Sequence, residues 1–247
     1  MHRCISLAVT GLLAAVFPCG HAAVVVNGDF ESGNTGFISD YTYVTVPTCD
    51  EAEYSVVHSA VDVHASWVDA GDHTTGNGLY FVANGSSDTG DVVWQTANPI
   101  SVTQAGTPYR FEAWITSVYA VENNGPILRF QVGNGTQWFN MGTSQTFPNG
   151  YTPGQWRLSY YDGTFDQVGT YYLRLMNDQN AMAGNDLGID DIYFGLSADA
   201  PSIGENPVGD VSDIPTDPAG PLIPEPATVG LAGMALLILT ALRAKLL

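Results

Sequence analysis

Side chains able to recognise a sugar occur together in one extended stretch of this sequence. Across positions 109–118, Arg110, Glu112 and Trp114 fall on one side of a pleated chain, while Phe111, Ala113 and Ile115 fall on the other. An indole can stack on the face of a pyranose, and a guanidinium and a carboxylate can exchange directional hydrogen bonds with its hydroxyls. The plainer alternative is that Trp114 packs under a loop, because tryptophan is mostly buried in domains of this size. Trp94, Trp138 and Tyr161 are further aromatic candidates. Arg110, Arg129, Arg157 and Arg174 each sit in the middle of a strand-like segment, on its more polar side. Two uses fit such arginines. Each can pair with a carboxylate, Glu112 being the obvious partner of Arg110, or several can share a groove that grips an acidic sugar such as a uronic acid.

A second set of reactive residue types lies within 57–77, where His58, His64 and His73 accompany Asp62, Asp69 and Asp72. These could ligate a transition metal, but their spacing matches neither a helical nor a CxxC-like ligand pattern. The run Asp72-His73-Thr74-Thr75-Gly76-Asn77-Gly78, leading into Leu79-Tyr80-Phe81, resembles a segment common in extracellular jelly rolls, including MAM-type adhesion domains, and the resemblance implies a structural Asp-x-Thr turn. Nucleophilic chemistry has no foothold either. There is no Gly-x-Ser-x-Gly elbow and no phosphate loop, and Cys49 stands outside any nucleophile motif. Carboxylates are plentiful, yet no pair is marked as the acid and base of a glycosidase. The sequence therefore reads as a binding or structural protein, not an enzyme. A glycan-active hydrolase is the minor alternative.

These residues need strands to position them. From Val24 to about Leu196 the chain is rich in Val, Ile, Thr, Tyr, Phe and Trp, punctuated by Gly, Asn and Asp. The pattern predicts strands over 24–27, 37–46, 54–57, 79–84, 92–96, 109–118, 127–132, 155–161, 170–176 and 187–194. Alternation sets Leu128, Phe130 and Val132 against Ile127, Arg129 and Gln131, and Tyr171, Leu173 and Leu175 against Tyr172, Arg174 and Met176. It also sets Trp156, Leu158 and Tyr160 against Arg157, Ser159 and Tyr161. With no helical period in the body, the expectation is an all-β sandwich of two sheets. Charge narrows the partners. The chain carries 25 acidic against 7 basic residues, a formal charge of −18, and its one lysine, Lys245, lies at the C-terminal end. Such a field repels phosphate backbones and argues against nucleic acid as a ligand.

Both ends differ from the body. His2 and Arg3 precede an apolar stretch from Ile5 to Phe17, followed by Gly20-His21-Ala22-Ala23. That is the layout of a secretory signal peptide over 1–22, with cleavage after Ala22 or, failing that, after Ala23. Cys4 and Cys19 leave with it, so Cys49 remains alone and no intramolecular disulfide is available to the body at 23–196. Residues 197–223 hold five prolines, several acids and almost no bulky core formers, which reads as an extended acidic linker. Pro224-Glu225-Pro226 then opens onto an apolar run from Ala227 to Leu242, followed by Arg243 and Lys245. Sixteen residues at about 1.5 Å each give roughly 24 Å of helix, a marginal membrane span with cytoplasmic-side positive charge.

The Pro224-Glu225-Pro226 motif, the single apolar helix and the terminal basic residues resemble the PEP-CTERM sorting tail, although that tail usually ends in a denser arginine cluster. The resemblance implies processing by an exosortase-type membrane protease near the motif, in a Gram-negative producer of exopolysaccharide. The protein would then be exported to the cell envelope, cell surface or extracellular matrix after transient anchoring by the C-terminal helix.

Within the body, Val26-Asn27-Gly28-Asp29-Phe30-Glu31 resembles the opening strand of galactose-binding-like jelly rolls, the fold of many carbohydrate-binding modules. The run Gly184-Asn185-Asp186-Leu187-Gly188-Ile189-Asp190-Asp191-Ile192 resembles the closing strand of the same fold. In that family the first and last strands pair and often hold a calcium ion. Carried over, Glu31 and Asp190 are the side-chain ligands, with Asp29 and Asp191 as lesser ones. Oxygen donors on flexible segments suit Ca²⁺. The alternative is a plain Asn-Gly-Asp turn and a solvated acidic edge. Together these features imply a jelly-roll module that associates with glycan or exopolysaccharide, with a structural matrix or adhesion protein as the competing class.

Overall fold

A computed structural model of the chain describes residues 25–45, 50–119, 121, 124–147 and 151–202. The expected signal peptide, Cys49, most of the linker and the Pro224-Glu225-Pro226 tail lie outside the described residues. The described chain is an all-β sandwich with two short 3-10 turns, at Ala60–Asp62 and Ser197–Asp199. Its strands are β1 (Phe37–Ile38), β2 (Thr42–Tyr43), β3 (Glu53–Val57), β4 (Tyr80–Asn84), β5 (Val92–Thr96), β6 (Ile100–Val102) and β7 (Pro108–Ser117). These are followed by β8 (Ile127–Gly133), β9 (Trp138–Asn140), β10 (Gln145–Thr146), β11 (Arg157–Thr164), β12 (Gly169–Asn177) and β13 (Leu187–Leu196). Sheet A runs β1-β5-β12-β8-β10, with β6 added on β12 and β9 on β8. Sheet B runs β11-β7-β13-β4-β3-β2.

Alternating apolar residues of the two sheets meet in one core. Phe81, Phe111, Ala113, Ile115, Ile189 and Phe194 of sheet B face Trp94, Leu128, Phe130, Val132, Leu173 and Leu175 of sheet A, all buried. Full burial of each large apolar side chain contributes about 1.5–3 kcal/mol, and edge-to-face contacts such as Phe111 on Phe130, 4.8 Å apart, add to this. Outside sheet B the connection between β3 and β4 folds back and forms a second, smaller cluster. Ala60, Val63 and Trp67 pack there on Tyr80, Val82 and Val118, with Trp156 alongside.

The structure corrects four sequence expectations. Residues 25–30 form turns instead of an opening strand, because Asn27 takes φ +56° and its side chain binds the carbonyls of Gly33 and Thr35. The expected strand over 37–46 is divided, since the chain crosses from sheet A (β1 on β5) to sheet B (β2 on β3). The faces of β11 are reversed relative to the arginine-outside reading. Arg157, Ser159 and Tyr161 pair opposite the inward residues Ile115, Ala113 and Phe111, so Leu158 and Tyr160 point outward. Finally, Ser197–Ser202, read as linker, fold onto sheet B through the second 3-10 turn and a hydrogen bond from Ser202 Oγ to Glu112.

Candidate functional site

Strand β7 places Arg110, Glu112 and Trp114 together on the outer face of sheet B, as its alternation requires. There they do different things. The Arg110 guanidinium grips Asp162 of β11 in a bidentate pair, Nε to Oδ1 at 2.9 Å and Nη2 to Oδ2 at 2.8 Å. It also lies 3.8 Å over the Tyr160 ring, with Glu112 further off at 4.0 Å. Burial pushes Asp162 up, but the hydrogen bonds from Arg110 and Ser197 outweigh it and hold the carboxyl below the usual range. Arg110 is therefore a structural tie. Glu112 is buried at the base of a cleft, where desolvation raises its pKa against the opposing pull of Ser202 and Arg110.

Trp114 is half-buried in the same cleft of about 400 Å³. Its indole stacks on His73 at 3.7 Å and 17°. His73 is fixed from two sides: its backbone N–H donates to Asp190 Oδ2 at 2.8 Å and its Nδ1 lies 2.7 Å from Asp191 Oδ2. A β-bulge between Asp190 and Tyr193 turns Asp191 out of the ladder at φ +47°. The amino-terminal turn seals against this bulge, with Ile192 N–H donating to Gly28 carbonyl at 2.8 Å. Any Cβ on Gly28 would collide with the Ile192 carbonyl, so the close approach demands glycine.

Glu31, Asp29, Asp190 and Asp191, the expected calcium ligands, line an adjoining cleft with Asp72. Their oxygens are largely engaged by amides. Glu31 Oε1 accepts from Leu79 N–H at 2.9 Å, Asp190 Oδ1 accepts from Asp191 N–H at 2.9 Å, and Asp72 accepts from Thr75 and Gly78. Burial, reinforced by the Asp191 and Asp72 charges, raises the Asp190 carboxyl to about 8. The donor set is all oxygen, which matches a hard cation. Among the described residues, however, no group of three or more His, Cys, Asp or Glu side chains converges to hold a metal ion. The histidines are dispersed as well. His58 binds the Asn77 and Gly78 carbonyls, His64 stacks on Trp67, and His73 serves Trp114.

Arg129 lies on the opposite side of the molecule, on the outer face of sheet A, paired with Asp178 (Nε to Oδ2, 2.7 Å). Sequence reasoning named Arg174 and Trp138 but did not bring them together. Arg174 of β12 donates from Nε to Gln131 Oε1 at 2.6 Å, and Gln131 Nε2 donates to Asn140 Oδ1 at 2.6 Å. The Arg174 guanidinium sits 3.8 Å over the Trp138 ring. Pairing aligns Gln95, Arg174, Gln131 and Asn140 in one row across β5, β12, β8 and β9, with Tyr172, Gly133 and Trp138 in the next. Among the described residues no carboxylate lies within ion-pair distance of Arg174, and burial lowers its pKa. Alternation alone places Arg129 with Gln131 and Arg174 with Tyr172, but only strand pairing brings the two sets together. Two of the other aromatic candidates are withdrawn from any ligand: Trp94 is wholly inside the core, and Tyr161 is buried with its hydroxyl bonded to the Thr143 carbonyl and Gln145.

No family model matches this chain, and no curated protein sequence does. Among solved structures it is similar to a Family 16 Carbohydrate Binding Module-2, at 18% identity over 70% of this chain and 99% of that one, with a TM-score of 0.40. It is also similar to the CBM22-1 xylan-binding domain from Paenibacillus barcinonensis Xyn10C, at 12% identity over 68% and 90%, TM-score 0.42. A cyclase from Fischerella sp. TAU matches at 11% identity over 69% and 94%, TM-score 0.48. At these identities and scores the likenesses decide nothing about ligand or activity, which must be argued from the side chains.

Proposed function

We propose that this chain is an exported, non-catalytic module that associates with acidic polysaccharide through the outer face of sheet A. One observation carries the reading. In a strongly acidic protein, Arg174 lies over the Trp138 ring and donates to Gln131, with no carboxylate within ion-pair distance among the described residues and Asp40 acting on it only from further off. A guanidinium fixed in that way offers a uronate carboxylate two parallel N–H donors, and the neighbouring Tyr172 and Asn140 suit its ring and hydroxyls. Export is supported by the signal-peptide pattern, and surface sorting by the tail that resembles PEP-CTERM. A calcium ion between Glu31 and Asp190 belongs to the same proposal and would act structurally, fastening the amino-terminal turn to β13.

Affinity electrophoresis or calorimetry with polygalacturonate and neutral xylan tests the glycan reading. Wild-type protein should prefer the acidic polymer, and Arg174→Gln should lose that preference by about tenfold or more without a change in melting temperature. Equal affinity for both polymers, or none for either, would sink it and favour a matrix protein that binds protein partners or itself.

A further inference from the structure

The cleft outside sheet B has chemistry opposite to that of the Arg174 face. Its walls come from four separate parts of the chain. Val25, Asn27 and Asp29 stand on one side, and His73 and Thr74 on another, while Asp191–Tyr193 of the bulge and Pro201–Ser202 complete it above Glu112 and Trp114. Among the described residues that line it there is no lysine or arginine, whereas Asp29, Glu112 and Asp191 are acids. The nearest guanidinium, Arg110, is tied to Asp162. Glu112 is 1% exposed; Ser202 donates to it, and Arg110 stands 4.0 Å away but is shared with Asp162, so the cleft keeps an excess of negative charge that an entering cation would balance.

Trp114, covered on one ring face by His73, is half-buried in the same space, and Ile192, Val25 and Pro201 supply apolar surface. An indole beside desolvated carboxylates is the combination that attracts ammonium groups. The volume, about 400 Å³, lies at the lower end of small-ligand sites, which suits one pyranose ring. The Thr74 hydroxyl, which donates to Asp191, keeps lone pairs that can accept from a sugar hydroxyl. We infer that this cleft is a second binding site, for a sugar ring bearing a free amine, with the ring on Trp114 and the ammonium directed to Glu112 and Asp191. It is independent of the Arg174 face, from which the whole sandwich separates it.

The probes are glucosamine and chitosan oligomers, with N-acetylglucosamine and chitin oligomers as uncharged counterparts, at a pH where the amine is protonated. Tryptophan fluorescence and calorimetry read the binding. The expected result is a preference for the free amine of about tenfold or more, removed in Glu112→Gln and in Trp114→Leu, and retained in Arg174→Gln. Tighter binding of the oligomer than of the monomer assigns a de-N-acetylated polymer as the source; equal binding assigns the free sugar. Wild-type protein that binds the acetylated and free forms equally, or neither, overturns the inference even if the variants fail to fold. So does binding that survives Trp114→Leu. Loss of uronate binding in Arg174→Gln with amine binding intact separates this site from the sheet A reading.

Discussion

Arg110 ties three parts of the chain with one planar group: β7 where it originates, Asp162 on β11, and Ser202 after the last strand, at 3.1 Å. Removing it strands Asp162 and leaves buried Glu112 without its nearby cation. Arg110→Gln is therefore expected to lower stability by about 1–3 kcal/mol, seen as a reduced urea midpoint with an unchanged slope. A second residue-scale effect depends on pH. Burial raises Asp186 from 3.8 to about 6, against hydrogen bonds from Gly85 and Trp67. The folded state holds this proton more tightly than the unfolded chain. Its stabilising contribution is thus complete below the unfolded pKa and is lost as pH rises through about 6. Two pH units correspond to roughly 3 kcal/mol. Asp186→Asn should flatten this part of the profile, so that wild type loses stability relative to the variant between acidic and neutral pH; parallel profiles would refute the assignment. At this scale the sequence is a partial guide. It groups Arg110, Glu112 and Trp114 correctly because they share a strand, but it cannot show that Arg129 lies on the other side of the sandwich. It also cannot show that Arg110 chooses Asp162, distant in sequence, over Glu112 two residues away.

Among elements, alternation reads the inner faces of β7, β8 and β12 directly, because each has a wet side and a dry side. It misleads for β11. A loop covers part of the outside of sheet B, so Trp156 joins the small outer cluster and Leu158, opposite Trp114, is buried while Tyr161 turns inward, and nothing local to 155–161 reveals that cover. Strands β6, β9 and β10 escape sequence reading for a related reason: each is short and exists only by pairing with β12 or β8. The junction of the amino-terminal turn with β13 carries its own prediction. If a calcium ion sits between Glu31 and Asp190, chelation lowers the melting temperature, by an amount equivalent to about 2.7 kcal/mol at a hundredfold ligand excess over Kd. Glu31→Ala should abolish that response. Identical melting curves with calcium and with chelator would remove the ion from the description. Gly28→Ala tests the junction without any metal, since its methyl group must displace the Ile192 carbonyl. Proteolysis near the amino terminus should accelerate in that variant.

For the whole molecule, sorting makes the sharpest forecast: intact mass of the exported protein from its native host should lack residues 227–247. Recovery of the full apolar tail would exclude exosortase processing. The placement of the two ends of the described body bears on how such a protein would be held. Val25 and Ser202 line the same cleft on sheet B, whereas Arg174 and Trp138 face outward from sheet A. A body moored through the stretch after Ser202 hangs with its sheet B side toward the mooring and presents its arginine platform to whatever lies beyond. Tension on that mooring would act first on the Ser202 contacts with Glu112 and Arg110. It would peel a short segment from the edge of the cleft before reaching any ladder of the sandwich. A pull that loosens the wall of one site while leaving the opposite face intact makes the protein asymmetric under load. Force along the tether would open the Trp114 cleft and leave the grip on the outer polymer undisturbed.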